Sequence, residues 1–247
     1  MDDKDLTIII PAAGVGRGMK SYGPKSLINI EKNINILGRQ LMILQDIYPK
    51  ADIIIVTGFK KEKVNLYIKQ WKENRIVGSQ DIKIAENKDY ENNNTARSIY
   101  LGAKKSKRKN FLVVYGDLVF NKEGLSEIEF SDSGVVVEDK NQMEKTKVGV
   151  SIINGKIGTF AYAFKEKWCQ ILFMNDKDMN AFLELTKPKK PEKDIFKYFT
   201  HEILNILLEK NIIELKAYKS EKLKISEVNN TKSLKLIRED LEKGVYQ

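Results

Sequence analysis

An apolar run, Leu6 to Ile10, leads directly into Pro11-Ala12-Ala13-Gly14-Val15-Gly16-Arg17-Gly18-Met19, and Gly23-Pro24-Lys25-Ser26-Leu27 follows one short segment later. Glycines at 14, 16 and 18 let successive backbone N–H groups approach an anionic oxygen, and Lys25 adds a mobile point charge. That is the chemistry of phosphate binding. The spacing fits neither G-x-x-x-x-G-K-[ST] nor G-x-G-x-x-G, so a plain tight turn after a strand is the competing reading. Asp117 follows Val113-Val114-Tyr115-Gly116 and puts a carboxylate at the tip of a buried strand. Such a position suits Mg2+, a hard cation that takes one or two carboxylates plus phosphate oxygens, and it equally suits a turn cap after Gly116. The stretch Glu86 to Ser98 is crowded with amides ahead of a helix. A cap there accounts for Asn94 or Thr95 but not for Asn87 and Ser98. Glu227-Val228-Asn229 ends the last strand and either returns polar groups to the edge that carries Asp117 or merely begins a helix cap. Trp168, with Tyr162 and Phe164, lines a pocket or packs in the core. The lone His201 has no second His or Cys to complete a metal set or triad, so it reads as structural or surface.

The elements that must position these residues alternate. Leu6 to Ile10, Asp52 to Thr57, Ile82 to Ala85 and Phe111 to Tyr115 are short apolar runs of the kind buried on both faces of a parallel sheet. Between them, 35 to 48, Gly58 to Trp71 and Thr95 to Lys105 carry helical spacing. The expected fold is therefore α/β: a doubly wound, mostly parallel Rossmann-like sheet, with ligands beyond the carboxyl ends of its strands, where 11–25, 87–94 and 116–121 fall. After Asn121 the rhythm changes. Strands are expected at Val135 to Glu138, Lys147 to Ile153 and Lys156 to Phe164, the last two joined by an Asn154-Gly155 hairpin turn. Helices are expected over Glu166 to Leu185, interrupted near Asp176, and over Asp194 to Lys210. Strands at Ile212 to Ala217 and Leu223 to Val228 and a helix from Thr231 complete the chain. This divides it into an expected nucleotide-binding core (1–120), an inserted β-hairpin and helical lid region (121–228), and a C-terminal helix (229–247).

Composition bounds the reading. The 247 residues, 42% hydrophobic, can bury a substantial core. A net charge of +9 suits a phosphorylated partner, and the densest basic cluster, Lys104 to Lys109, reads as a solvated helix end. With no recognition motif, a nucleic-acid partner is not expected. One cysteine, Cys169, excludes an internal disulfide. The hydrophilic N-terminus offers no apolar segment for export or membrane spanning, so the default is a soluble cytoplasmic protein without a membrane partner. A homo-oligomer remains open.

Taken together, Pro11 to Arg17 with Pro24-Lys25, Asn87 to Tyr90, Asn94 to Ser98 and Gly116-Asp117 resemble the nucleotidyltransferases that make sugar nucleotides and CDP-alcohols, especially the phosphocholine cytidylyltransferase-like branch. The resemblance extends through Lys147-Val-Gly-Val, Gly155-Lys156, Lys167 to Ile171 and the Glu227-Val-Asn229 close. It implies that Ala12, Ala13, Gly14, Val15 and Gly16 cradle a nucleoside triphosphate, with CTP favoured. Lys25 and Arg17 would neutralise charge, Asn87, Asn94 and Ser98 would help read the nucleotide, and Asp117 with Asn229 would hold Mg2+. Trp168 and Glu227 would face a small phosphorylated acceptor: phosphocholine, a phosphonate or a sugar phosphate. Two positions depart from the pattern. Gly18 stands where the family usually has arginine, with Arg17 one residue early, and Asn229 replaces the second metal carboxylate. These departures motivate an alternative, a catalytically impaired relative that only binds nucleotide.

Overall fold

The computed structural model describes residues 2–16, 19, 23–74, 81–139, 147–188 and 197–247. The first half follows the expected alternation. Strand β1 (Leu6–Pro11) is followed by a small hairpin, β2 (Asn29–Glu31) and β3 (Ile34–Asn35), then helix α1 (Ile36–Ile47), β4 (Asp52–Thr57), α2 (Lys61–Asn74), β5 (Ile82–Glu86), α3 (Thr95–Ala103) and β6 (Asn110–Val114). β1 pairs in parallel with β4 through Ile8 and Ile53 and with β6 through Ile8 and Leu112. Ile8 and Ile10 pack into one core and Ile9 into a second on the opposite face, which is why the middle of β1 is apolar on both faces. Full burial of each such side chain stabilises the fold by about 1.5–3 kcal/mol. Asn35 starts α1 by accepting a 2.8 Å hydrogen bond from the Gly38 N–H.

The second half holds β7 (Leu118–Phe120), α4 (Lys122–Ser126), β8 (Gly134–Asp139), β9 (Val148–Ile153), β10 (Lys156–Tyr162), β11 (Glu166–Met174), α5 (Asp176–Leu185), α6 (Thr200–Glu209), β12 (Lys216–Tyr218), β13 (Ile225–Glu227) and α7 (Thr231–Glu242). The β9–β10 hairpin turns through Asn154 and Gly155, both at positive φ as its sequence predicts. The large sheet is mixed rather than mostly parallel. Nine strands run in the order β5-β4-β1-β6-β11-β8-β12-β10-β9; the first four form a parallel block, and of the rest β8 and β12 pair in parallel. β11 runs antiparallel to both β6 and β8, so one sheet spans the two halves.

β11 is also the main correction to the expected elements, since the sequence pattern of Glu166 to Met174 predicts a helix and the structure has a strand. Gln170 bulges out of the strand at φ 58°. The bulge leaves Cys169 and Ile171 in one core and Trp168 and Leu172 in the other. Buried residues therefore recur at three- and four-residue spacing, which imitates a helix. The late strands are shorter than expected, and α6 begins at Thr200; positions 194–196 of the helix expected there lie outside the described residues.

Candidate active site

The glycine-rich loop leaves β1 at the carboxyl edge of the parallel block and is pinned on both sides. Ala12 N–H donates to the Val56 carbonyl at 2.9 Å, and the Ala13 carbonyl accepts from Phe59 N–H at 3.0 Å. Gly116 N–H donates to the Pro11 carbonyl, and a Cβ on Gly116 would stand 2.8 Å from that oxygen, so only glycine lets the two loops nest. This contact brings Asp117 against the glycine loop. Gly16 takes a left-handed φ of 59°, with the Lys25 stem running over it. Gly14 has open space around it, Val15 does not line the cavity, and Arg17 and Gly18 lie outside the described residues.

A cavity of about 170 Å³ opens here, lined among others by Ala12, Ala13, Gly14, Gly16, Lys25 and Asp117, and across from them by Asn87, Asn94 and Ser98. Asn87 Nδ2 donates to Asn93 Oδ1 at 2.7 Å and to Ser98 Oγ at 3.1 Å, and its own Oδ1 accepts from Asn93 Nδ2 at 3.0 Å. These polar groups hold one another and give the wall its shape. Asn94 stands at the cap position of α3 but makes no side-chain cap; its amide donates instead to the Lys197 carbonyl.

Lys25 Nζ donates to Asp117 Oδ2 at 2.8 Å, with 17% and 20% of the two side chains exposed. Among the described residues, Asp117 Oδ1 is buried and has no hydrogen-bond partner. Burial pushes the Asp117 carboxyl above its ordinary value; the Lys25 charge opposes this and the Glu227 charge reinforces it. β13 pairs antiparallel with β7, Glu227 opposite Leu118, and Val228 N–H donates to the Asp117 carbonyl at 2.9 Å. That pairing carries Glu227 and Asn229 to the same edge as Asp117. Glu227 Oε2 accepts from Lys147 Nζ at 2.7 Å and from Gln170 Nε2 at 3.0 Å. Burial alone would raise the Glu227 carboxyl, but the Lys147 charge and hydrogen bond, with Asn229 and Lys25, outweigh it and hold the group below its ordinary value.

A second cavity of about 520 Å³ adjoins the first, and Thr95, Tyr115 and Asp117 line both. Its polar end includes Lys147, Gln170, Glu227 and Asn229, and Tyr115, Tyr162, Trp168, Phe199 and His201 give it aromatic walls. Trp168 is only 4% exposed; its indole N–H donates to the Ile171 carbonyl at 3.3 Å, and its ring meets Tyr115 and Phe160 edge-on. It is thus both core and wall, whereas Phe164 does not line this cavity. Tyr162 and Phe199 are 54% and 46% exposed and flank His201, with Phe199 stacked on the imidazole at 5.6 Å. His201, read as structural or surface, is a buried wall of the cavity, and its burial lowers its pKa. Asn230 rather than Asn229 caps α7, accepting from Ser233 N–H at 2.9 Å. Sequence reasoning assigned no role here to Lys147, Gln170, Tyr115 or Phe199. Lys147 carried a signal, a basic residue opening a strand, but its partner lies 80 positions away. Among the described residues, no three His, Cys, Asp or Glu side chains are grouped to share a metal ion.

Residues 27–179 match a family described as "Domain of unknown function (DUF6564)". The chain belongs to that family. No curated protein matches the DUF6564 chain. Among solved structures it is similar to CTP:phosphocholine cytidylyltransferase from Streptococcus pneumoniae, at 15% identity over 96% of this chain and 99% of that one, with a TM-score of 0.76. It is similar to inositol-1-phosphate CTP transferase from T. maritima, at 14% identity over 96% of each chain and a TM-score of 0.73. A UDP-glucose pyrophosphorylase complexed with UDP-glucose aligns over 97% of this chain and 99% of that one, at 16% identity and a TM-score of 0.72. The DUF6564 chain therefore has the nucleotidyltransferase fold along nearly its whole length. Among its described residues, no helix is long and apolar enough to cross a membrane.

Proposed function

We propose that the DUF6564 chain transfers a nucleotidyl group from a nucleoside triphosphate, with CTP favoured, to a small phosphorylated acceptor, releasing pyrophosphate. One observation carries this reading: two cavities, one walled by the glycine loop and Lys25 and the other by Lys147, Glu227 and aromatic rings, meet at Asp117. A phosphate monoester has a second pKa of about 6 and is already mostly dianionic at neutral pH. Its oxygen attacks the α-phosphorus, a new P–O bond forms, the α–β bridge breaks, and pyrophosphate leaves with the electron pair. No general base is needed, so the protein's tasks are alignment and charge neutralisation.

Lys25 and the loop amides would take the triphosphate oxygens, with Arg17 assisting. Lys147, on the far side of Asp117, would face the phosphate of the acceptor. The residues also fit a divalent cation, because Asp117 offers a buried, unpartnered oxygen and Asn229 a neutral carbonyl beside it. When bound, Mg2+ would neutralise phosphate charge at the point of transfer. Trp168 and Glu227 would receive the non-reacting end of the acceptor, where a ring face and a carboxylate suit either a quaternary ammonium or a sugar. The test is a pyrophosphate-release screen that crosses four nucleoside triphosphates with phosphocholine, aminoethylphosphonate and several sugar 1-phosphates. Release with one pair supports the proposal. Nucleotide-induced thermal stabilisation with no product from any pair would favour the binding-only reading that Gly18 and Asn229 motivate, and neither response would remove both.

A further inference from the structure

Among the described residues, the charged groups at the junction of the two cavities neutralise one another before any ligand arrives. Asp117 is bonded to Lys25 and Glu227 to Lys147, so two carboxylates and two ammoniums cancel, and Asn229 adds no charge. A divalent cation is recruited by unneutralised negative charge. Here its principal ligand is already held by a protein cation. The two partners also differ in how firmly they are placed. The Asp117 backbone is tied to β13 through Val228 N–H, whereas Lys25 reaches Asp117 with a long side chain that crosses the glycine loop. A Cβ on Gly16 would come within 3.3 Å of Lys25 Cε, so the missing side chain at 16 clears the path of the ammonium.

We propose that Lys25 is an internal stand-in for the metal ion: without nucleotide its ammonium holds the cation position on Asp117, and a triphosphate must draw it away before a divalent cation binds. The inference rests on the nucleotidyl-transfer reading. It adds to that reading that metal and nucleotide enter together and that the empty protein has little affinity for the metal alone. Gln at position 25 keeps most of the stem and removes the charge. The experiment titrates Mn2+ into the nucleotide-free full chain and reads free Mn2+ by electron paramagnetic resonance, for wild type, K25Q and K25Q/D117N. An ammonium within about 4–6 Å of a carboxylate biases its binding equilibria by roughly tenfold or more, so K25Q should bind Mn2+ at least about tenfold tighter than wild type. K25Q/D117N should lose that gain. If K25Q fails to give a cooperative melt, Lys25→Met takes its place. Wild type binding Mn2+ as tightly as the folded Lys25 variant, or a gain that survives Asp117→Asn, overturns the proposal. Because these titrations contain no nucleotide, failure of the functional reading shows separately, as no thermal shift of wild type with CTP.

Discussion

Neutralising the central acid should inactivate the protein and, at neutral pH, make it more stable. Asp117 is held in a place that disfavours its charged form: burial raises its pKa, Glu227 adds to the rise, and Lys25 offsets only part of it. For a carboxyl whose folded-state pKa is raised, ionisation costs the folded state stability. Nothing is lost below the unfolded value of about 3.9, and the cost grows as pH rises through the folded value. Asp117→Asn removes that cost and leaves Lys25, which lines an open cleft, free to turn to water. The gain should therefore appear at pH 7.5 as a higher Tm, and in a chain of this size each 1 kcal/mol raises Tm by about 2–4 °C. Melting curves of both proteins between pH 4 and 8 should show a difference near zero at the acid end that grows to a plateau, while pyrophosphate release by the variant is abolished. The reasoning is refuted if the variant melts several degrees below wild type at pH 7.5, or if the gain is as large at pH 4.

Three further outcomes are expected. Gly16→Ala places a side chain at a left-handed φ, costing about 1–2 kcal/mol, and crowds the Lys25 stem; both Tm and pyrophosphate release should fall, and an active, equally stable variant would exclude the close approach. Lys147→Met strands Glu227 in a largely buried position; a fully buried pair broken this way costs about 3–5 kcal/mol, so about 2 kcal/mol is expected here. Because the Glu227 pKa is lowered in the fold, the pair's contribution is complete above the unfolded value of about 4.3 and is lost as pH falls through the folded value, so the Tm gap to wild type should close on acidification. Among the described residues the buried Ser26 Oγ has no hydrogen-bond partner, so Ser26→Ala should leave stability unchanged or raise it by up to about 1 kcal/mol; a clear drop in Tm by differential scanning calorimetry would mean that the hydroxyl is paired.

The first half of the fold was legible because its strands are buried on both faces and its helices carry a clean 3.6-residue period. Leu6 to Ile10 admits little else. The second half was harder because its signals are tertiary. The bulge at Gln170 turned a central strand into an apparent helix, and the mixed pairing of β11 between β6 and β8 leaves no mark in local sequence. The same division applies to the site. The glycine loop, Lys25, Asn87 and Asp117 stood out because local spacing and strand-end position announce them. Lys147 and Gln170 acquire meaning only through Glu227, and His201 only through the rings of Tyr162 and Phe199, contacts made across the folded sheet. Asn229 was identified by position, whereas its effect on Glu227 emerges only once β13 lies beside β7.

The proposed reaction requires one triphosphate to lie against the glycine loop, Lys25 and Asp117, with its α-phosphate facing the second cavity. A crystal structure with a non-hydrolysable CTP analogue and Mn2+ measures this directly. The triphosphate is expected in the smaller cavity, with Lys25 moved from Asp117 to a phosphate oxygen and the α-phosphorus open toward Lys147 and Trp168. A nucleotide bound elsewhere, or one whose phosphates point away from Asp117, would contradict it.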